Sequence, residues 1–145
     1  MSWKALATAS PALAEFGARR FDQGVAYLAT VKQDGSPRVH PVTPIIGENR
    51  LFLFMEPTSP KGHDLRRDGR YALHSLVTGP SGDEGEFLIT GTAGYVEDVE
   101  TRAVAVAAAS YEPADRYVLF ELAINTAFST TYDEDGTPVR HRWRR

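Results

Sequence analysis

The chain has 145 residues, a length typical of one domain with its own core, so we expect a single domain over residues 1–145. Its net charge of −3 argues against a dedicated nucleic-acid binder, and the absence of cysteine excludes disulfides, thiolate metal sites and cysteine nucleophiles. Because we find neither a signal peptide nor an apolar run near the roughly 20 residues that a membrane span needs, we expect a cytoplasmic protein with no membrane partner.

The first predicted element is a helical segment over residues 2–22, which should serve packing. Pro11, with Ser10 as its N-cap, should divide this segment into a short helix and a main helix. Large apolar residues recur at spacings that a helix places on one side: Leu6, Leu13, Phe16 and Phe21.

A hairpin should open the β-sheet, which we expect to occupy residues 25–144. Residues 25–32 have the β-branched and aromatic content of a strand. Asp34 and Gly35 form a two-residue hairpin signal, so the segment over residues 37–46 should return antiparallel beside the first strand.

Two prolines interrupt that second strand. Pro41 and Pro44 cannot donate to a strand ladder, which predicts an edge or an irregular position. Side chains should alternate along the strand in two sets: Arg38, His40 and Val42 on one face, and Val39, Pro41 and Thr43 on the other.

His40 has several readings from the sequence. It could be a catalytic acid, a metal ligand or a contact in the wall of a site, and an ordinary half-exposed strand histidine is the simplest reading. The histidines at positions 40, 63, 74 and 141 lack the spacing of zinc ligands, so we expect no metal.

The third strand and the helix after it form the most informative stretch. Residues 51–55 are a continuous apolar run that should follow a turn at residues 47–49 and complete a three-stranded meander. The helix should run from Ser59 to about Asp68 and lie on the surface, with Leu65 as its only large apolar residue.

The start of that helix could hold an anion. Thr58 and Ser59 suit the N-cap and Pro60 suits the first helical position, with Lys61 in the same turn. Free backbone N–H groups, the helix dipole, two hydroxyls and an ammonium together suit a phosphate. The alternative is an ordinary cap followed by a solvated lysine.

The remaining pattern predicts more strands than helices. It gives strands over residues 70–77, 86–96, 118–131 and 138–143, a loop over 78–85 and a helix over 97–110. Gly91 and Gly94 indicate a bulge where the sheet curls. We therefore expect a mainly β, α+β fold, an antiparallel barrel with peripheral helices.

The order of these elements resembles that of the pyridoxamine 5′-phosphate oxidase-like family of split β-barrel flavoproteins. The likeness lies in the order of the hairpin, the R-V-H-P strand, the L-F-L-F-M strand and the T-S-P-K-G-H-D-L-R-R-D helix start. It covers residues 25–96, is most specific in S-x-K-x-x-D-L, and is weaker from Glu97 onward. The resemblance implies a split barrel of six or seven strands and a homodimer with FMN in a groove at its interface.

The same resemblance implies which residues would bind FMN. Arg38 would help to neutralise the phosphate, and Ser59 and Lys61 would hold it. The isoalloxazine ring would be lined by four strand residues: Val39, His40, Pro41 and Val42. Phe54 and Met55 would flank the ring or the ribityl chain.

Three positions depart from the true oxidase of this family. A ring-contacting glutamine of the oxidase falls near Glu86, and a lysine of its arginine-led strand is replaced by Thr43. The chain also ends directly after H-R-W-R-R, where the oxidase builds part of its substrate site. We therefore do not expect oxidation of pyridoxamine phosphate. The looser members, which use FMN, the deazaflavin F420 or haem-type ligands, fit better.

The arginine-rich C-terminus, residues 140–145, has three readings. It could be a solvated last strand, or it could reach across a dimer so that Trp143 and Arg144 border the partner's cofactor. It could also bind nucleic acid, which the acidic remainder of the chain disfavours. The resemblance encourages only the second reading.

Two classes of function remain open. The chain could be an FMN-dependent oxidoreductase that moves hydride between a reduced nicotinamide and a small organic acceptor, or an F420-dependent reductase of the same fold. Alternatively, it could carry or sense flavin, F420 or haem without turnover. The sequence contains neither G-x-G-x-x-G nor G-x-S-x-G, and we assign no catalytic residue.

Overall fold

The computed structural model describes residues 2–80, 82 and 84–145. Its helices are α1 (Trp3–Ala9), α2 (Pro11–Phe21), α3 (Pro60–Arg67) and α4 (Val99–Ala108). Its strands are β1 (Ala26–Val31), β2 (Pro37–Val42), β3 (Ile45–Gly47), β4 (Arg50–Met55), β5 (Arg70–Ser75), β6 (Glu86–Val96), β7 (Val118–Tyr132) and β8 (Pro138–Arg144). Ser81 and Asp83, in the loop predicted over residues 78–85, lie outside the described residues.

The strands form one antiparallel sheet in the order β2-β1-β5-β6-β7-β4-β3, and β8 also pairs with β7. The 15-residue strand β7 has two different neighbours on one side, because its first residues pair with β4 and its last residues pair with β8. The predicted fold is therefore confirmed as a mainly antiparallel, α+β split barrel with peripheral helices. The described residues contain eight strands instead of six or seven.

The extra strand arises where the sequence predicted one continuous strand over residues 37–46. The chain leaves the ladder at Thr43 and Pro44, so that β2 pairs with β1 while β3 pairs with β4. Proline lacks an N–H group and also restricts the residue before it, which explains the break. The predicted three-stranded meander is therefore wrong, although β2 lies at a sheet edge as its proline content required.

A bulge bends β6 at the predicted glycines. The register between β6 and β7 shifts between Thr90 and Gly91. A Cβ atom at Gly91 would lie 1.9 Å from the carbonyl oxygen of Ala123, whereas one at Gly94 would meet no atom within 4 Å. Gly91 is thus required by the close approach of two backbones, and Gly94 is not.

Helices α1 and α2 meet at Ser10 and Pro11, as predicted, and pack on one face of the sheet. Trp3 and Phe21 surround the Phe87 ring of β6 at centroid distances of 6.1 and 5.2 Å. A second cluster lies under α4, where Phe52 and Phe54 are buried. No helix in the described part of the chain is long and apolar enough to cross a membrane.

Candidate functional site

The first turn of α3 packs directly on the end of β4. Ser59 is the N-cap, and its Oγ accepts a hydrogen bond of 3.2 Å from the backbone N–H of Gly62, while Pro60 occupies the first turn. A Cβ atom at Gly62 would lie 3.0 Å from Sδ of the buried Met55. The predicted cap is therefore confirmed, and the strand fixes where the helix begins.

A buried carboxylate ties α3 to the opening hairpin. Oδ2 of Asp64 accepts hydrogen bonds from Thr30 Oγ1 at 2.8 Å and from Arg38 Nε at 2.7 Å. Its Oδ1 accepts a longer hydrogen bond of 3.3 Å from Nη2 of Arg67. Because Thr30 belongs to β1 and Arg38 to β2, one side chain connects three elements.

The charge of Asp64 is stabilised by these donors. Burial alone would raise its pKa, since the side chain is only 4% exposed. The hydrogen bonds from Arg38, Thr30 and Arg67 outweigh burial and hold the pKa of Asp64 below its usual value. The carboxylate is therefore ionised at neutral pH.

Acidification is expected to weaken this network. Because the pKa of Asp64 is lowered in the folded state, its contribution to stability is complete above about pH 5 and is lost as the pH falls through the folded-state pKa. Urea unfolding of the wild type and of Asp64→Asn should give a constant difference in unfolding free energy above about pH 5 and a shrinking one below about pH 4. A difference that persists unchanged to about pH 3 would contradict this account.

A cavity of about 530 Å³ lies between the end of the β1–β2 hairpin and one side of α3, from Thr58 before the first turn to Arg67 in the last turn. Its wall includes Thr58 and Pro60. Three cations and two carboxylates line it: Lys32, Arg38, Arg67, Asp34 and Asp64. Since Asp64 already pairs with both arginines, the lining retains a net positive charge that favours an anion.

Lys61 lies in the same helical turn but does not line this cavity. Its side chain is half-buried, and burial lowers its pKa because the ammonium has lost part of its hydration. It forms no ion pair or hydrogen bond with any residue that the structure describes. An anion beside this ammonium would therefore be stabilised.

The exposure of β2 follows the predicted alternation only in part, because His40 is exposed although it was predicted on the same face as the buried Val42. Val42 is buried in the core, whereas Val39 is 65% exposed and Pro41 is exposed beside it on the other face. Nδ1 of the exposed His40 lies 2.9 Å from the carbonyl oxygen of Pro41. No group of three potential metal ligands occurs in the described residues.

Other predicted site residues lie elsewhere in the chain. Phe54 packs under α4, where the guanidinium of Arg102 lies 5.1 Å from its ring centroid. Oε2 of Glu86 lies 3.1 Å from Nε2 of His74. Trp143 packs against the core and Arg144 follows it on β8, five strand pairings from β2.

One chain therefore gathers only part of the predicted site. It brings together residues predicted to hold the phosphate, Arg38, Thr58 and Ser59, with Lys61 in the same turn. Met55, predicted beside the ring or the ribityl chain, packs against this turn. The chain does not bring Phe54, Glu86, Trp143 or Arg144 to that place.

Sequence reasoning missed Asp64 and its partners Thr30 and Arg67. The available signal was helical spacing, because Asp64 shares a face with Lys61 and Leu65. Leu65 and Asp64 are both buried, so that face packs against the barrel instead of facing solvent. An ion pair across 26 residues has no local pattern that could have revealed it.

Comparison with known proteins adds a family match and several structures of the same fold. The sequence model described as pyridoxamine 5′-phosphate oxidase matches residues 10–131. A haem-binding protein from Mycobacterium smegmatis is 19% identical with a TM-score of 0.67, and the alignment covers 88% of this chain and 56% of that one. The chain thus spans little more than half of that protein.

Two further structures are aligned with this chain over more of their own length. A NimC/NimA family protein from Clostridium acetobutylicum is 18% identical with a TM-score of 0.66, over 89% of this chain and 91% of that one. PhzG from Burkholderia lata 383, in complex with tetrahydrophenazine-1-carboxylic acid, is 19% identical with a TM-score of 0.64. That alignment covers 99% of this chain and 83% of PhzG. At these identities the likeness shows a shared fold. No curated protein sequence matches the chain.

Proposed function

Since the chain belongs to the pyridoxamine 5′-phosphate oxidase family, we propose that it binds FMN and moves hydride between a reduced nicotinamide and a small organic acceptor. The observation that carries this proposal is the cavity with net positive charge between the β1–β2 hairpin and α3. FMN ends in a phosphate dianion, which requires such a cradle.

The residues present fit the phosphate end of the cofactor. The cavity volume of about 530 Å³ falls within the roughly 300–1,000 Å³ of small-molecule sites. Arg38 and Thr58 line it. Lys61, whose ammonium has no partner among the described residues, lies in the same helical turn as Pro60 of the cavity wall. Asp34 and Asp64 oppose an anion, but Arg38 and Arg67 neutralise Asp64.

The fit to the flavin ring needs a second surface. In one chain the residues that line the cavity are nearly all charged or polar, and the nearby apolar side chains, Val39 and Pro41, lie exposed on the opposite face of β2. The chain exposes 8154 Å², more than the about 7,400 Å² expected for a monomeric protein of 16.0 kDa. Both observations favour a homodimer that covers the ring at its interface. By the resemblance to the family, Trp143 and Arg144 of one chain would border the partner's cofactor.

Dimer formation is a separate prediction. Sedimentation should give twice the 16.0 kDa mass of one chain, and Val39→Asp should shift the equilibrium toward the monomer because it places a charge on a covered apolar face. Val99→Asp is the matched control, since Val99 is also strongly exposed but lies on α4. A wild-type protein that stays monomeric in dilute solution would count against a shared groove.

When bound, FMN would supply hydride transfer at N5 of its ring. The residues of the chain would hold the cofactor and orient its ring. Arg38 and Lys61 would fix the phosphate, and Val39 with Pro41 would support one side of the ring. We assign no side chain as general acid or base.

The first experiment is the visible spectrum of the purified protein, followed by titration with FMN. We expect saturable FMN binding, and then anaerobic reduction by a reduced nicotinamide with reoxidation by organic acceptors. Binding without turnover would indicate a carrier or sensor. A protein that does not bind FMN would contradict the proposal.

The alternatives are tested in the same titration. F420 also carries a phosphate and a flat ring system, so the same cavity supports an F420-dependent reductase. The haem-binding protein of the same fold supports a non-catalytic haem carrier. Preference for F420 or haem over FMN would select the corresponding alternative.

A further inference from the structure

We propose that Asp64 is a positioning residue of the phosphate site, which holds the Arg38 guanidinium so that its free nitrogens face the anion. This inference rests on the proposed function, because it assigns Asp64 a role in recognising the phosphate of the cofactor. Asp64 itself would not need to touch the ligand.

The contact geometry carries the first step. Of the three guanidinium nitrogens of Arg38, only Nε donates to Asp64, at 2.7 Å. Both terminal nitrogens of Arg38 have no hydrogen-bond partner among the residues that the structure describes. Arg38 also lines the cavity and is 31% exposed, so these nitrogens remain available to a ligand.

Asp64 is held in one position by its neighbours. Its side chain is almost fully buried and is held by Thr30 of β1 and Arg67 of α3 as well as by Arg38. Arg38 lies on an edge strand between exposed residues, where a long side chain would otherwise sample many rotamers. Fixing its Nε removes much of that freedom before the ligand arrives.

Two accounts of Asp64 predict opposite changes in affinity. If its charge acts on the phosphate directly, removing the carboxylate makes the site more positive, and FMN should bind more tightly. If it acts through Arg38, the arginine loses its fixed orientation, and FMN should bind more weakly. A purely structural role would change binding of flavins with and without phosphate alike.

The test compares Asp64→Asn with the wild type in titrations with FMN and with riboflavin, which lacks the phosphate. We expect FMN to bind about tenfold more weakly while riboflavin binding is unchanged. Asp68→Asn is the matched control, since Asp68 follows the same helix, pairs with an arginine, Arg70, and does not line the cavity. It should leave both affinities unchanged.

A double-mutant cycle separates positioning from additive effects. Arg38→Lys keeps the charge but loses the Nε contact, so the double variant Asp64→Asn/Arg38→Lys should bind FMN no more weakly than Arg38→Lys alone. If Asp64→Asn does not fold, Thr30→Val removes one hydrogen bond to Asp64 and should still lower the preference for FMN over riboflavin.

Each result decides the question. Tighter FMN binding, an unchanged preference for FMN over riboflavin, or fully additive losses in the cycle would overturn the positioning role. Those results all require a wild type that binds FMN. A wild type that binds neither FMN nor riboflavin would instead refute the proposed function.

Discussion

Lys61→Ala is expected to weaken FMN binding by about 1.5 to 3 kcal/mol, or roughly 10- to 150-fold in dissociation constant. The ammonium of Lys61 is half-buried and has no partner in the described chain, so a phosphate would gain a charge-assisted bond there. Isothermal titration of the variant with FMN and with riboflavin should show the loss for FMN only.

Two other lysines serve as controls for this prediction. Lys32→Ala removes a charge from the cavity rim and should have a smaller effect, because exposed charges are screened. Lys4→Ala, on the exposed side of α1, should have none. Unchanged titration curves of Lys61→Ala with both FMN and F420 would remove Lys61 from the site.

Gly91→Ala is expected to lower the free energy of unfolding by about 3 kcal/mol. Its Cβ atom would lie 1.9 Å from a backbone oxygen of the neighbouring strand, and neither strand can move without disturbing the bulge. Urea unfolding followed by circular dichroism should show the loss as a lower midpoint with an unchanged slope.

Gly94→Ala is the matched control, three residues further along the same strand. Nothing lies within 4 Å of its added Cβ atom, so the unfolding free energy should change by less than about 1 kcal/mol. Equal destabilisation by the two substitutions would show that strand flexibility, not the contact with Ala123, explains the need for glycine at position 91.

Much of the fold could be predicted because turn and cap residues act locally. Ser59 and Pro60 place the start of α3, and alternation with turn residues at each end gives β6 the same bounds in sequence and structure. Pro44 was read as a feature of one edge strand, but it ends that strand and starts another. A proline signals an interruption, whereas the new partner of the following strand depends on distant residues.

The candidate site could be predicted only where it follows one stretch of chain. Residues 58–61 are neighbours in sequence, so the N-cap at Ser59 could be predicted from that stretch alone. Phe54 packs under α4, away from Met55, because consecutive residues of a strand point to opposite faces of the sheet. The pairing of Arg38 with Asp64 depends on how strands and helices meet. Such contacts have no signature in a single sequence.

The central place of β7 in the sheet has a consequence for synthesis on the ribosome. This strand fills the gap between β6 and β4, yet it is made after both of them. Until residues 118–132 emerge, the nascent chain carries two open strand edges next to apolar side chains, a state prone to aggregation. Chaperone capture should therefore be strongest for ribosome-bound chains that stop just before β7. It should fall once β7 has emerged from the ribosome.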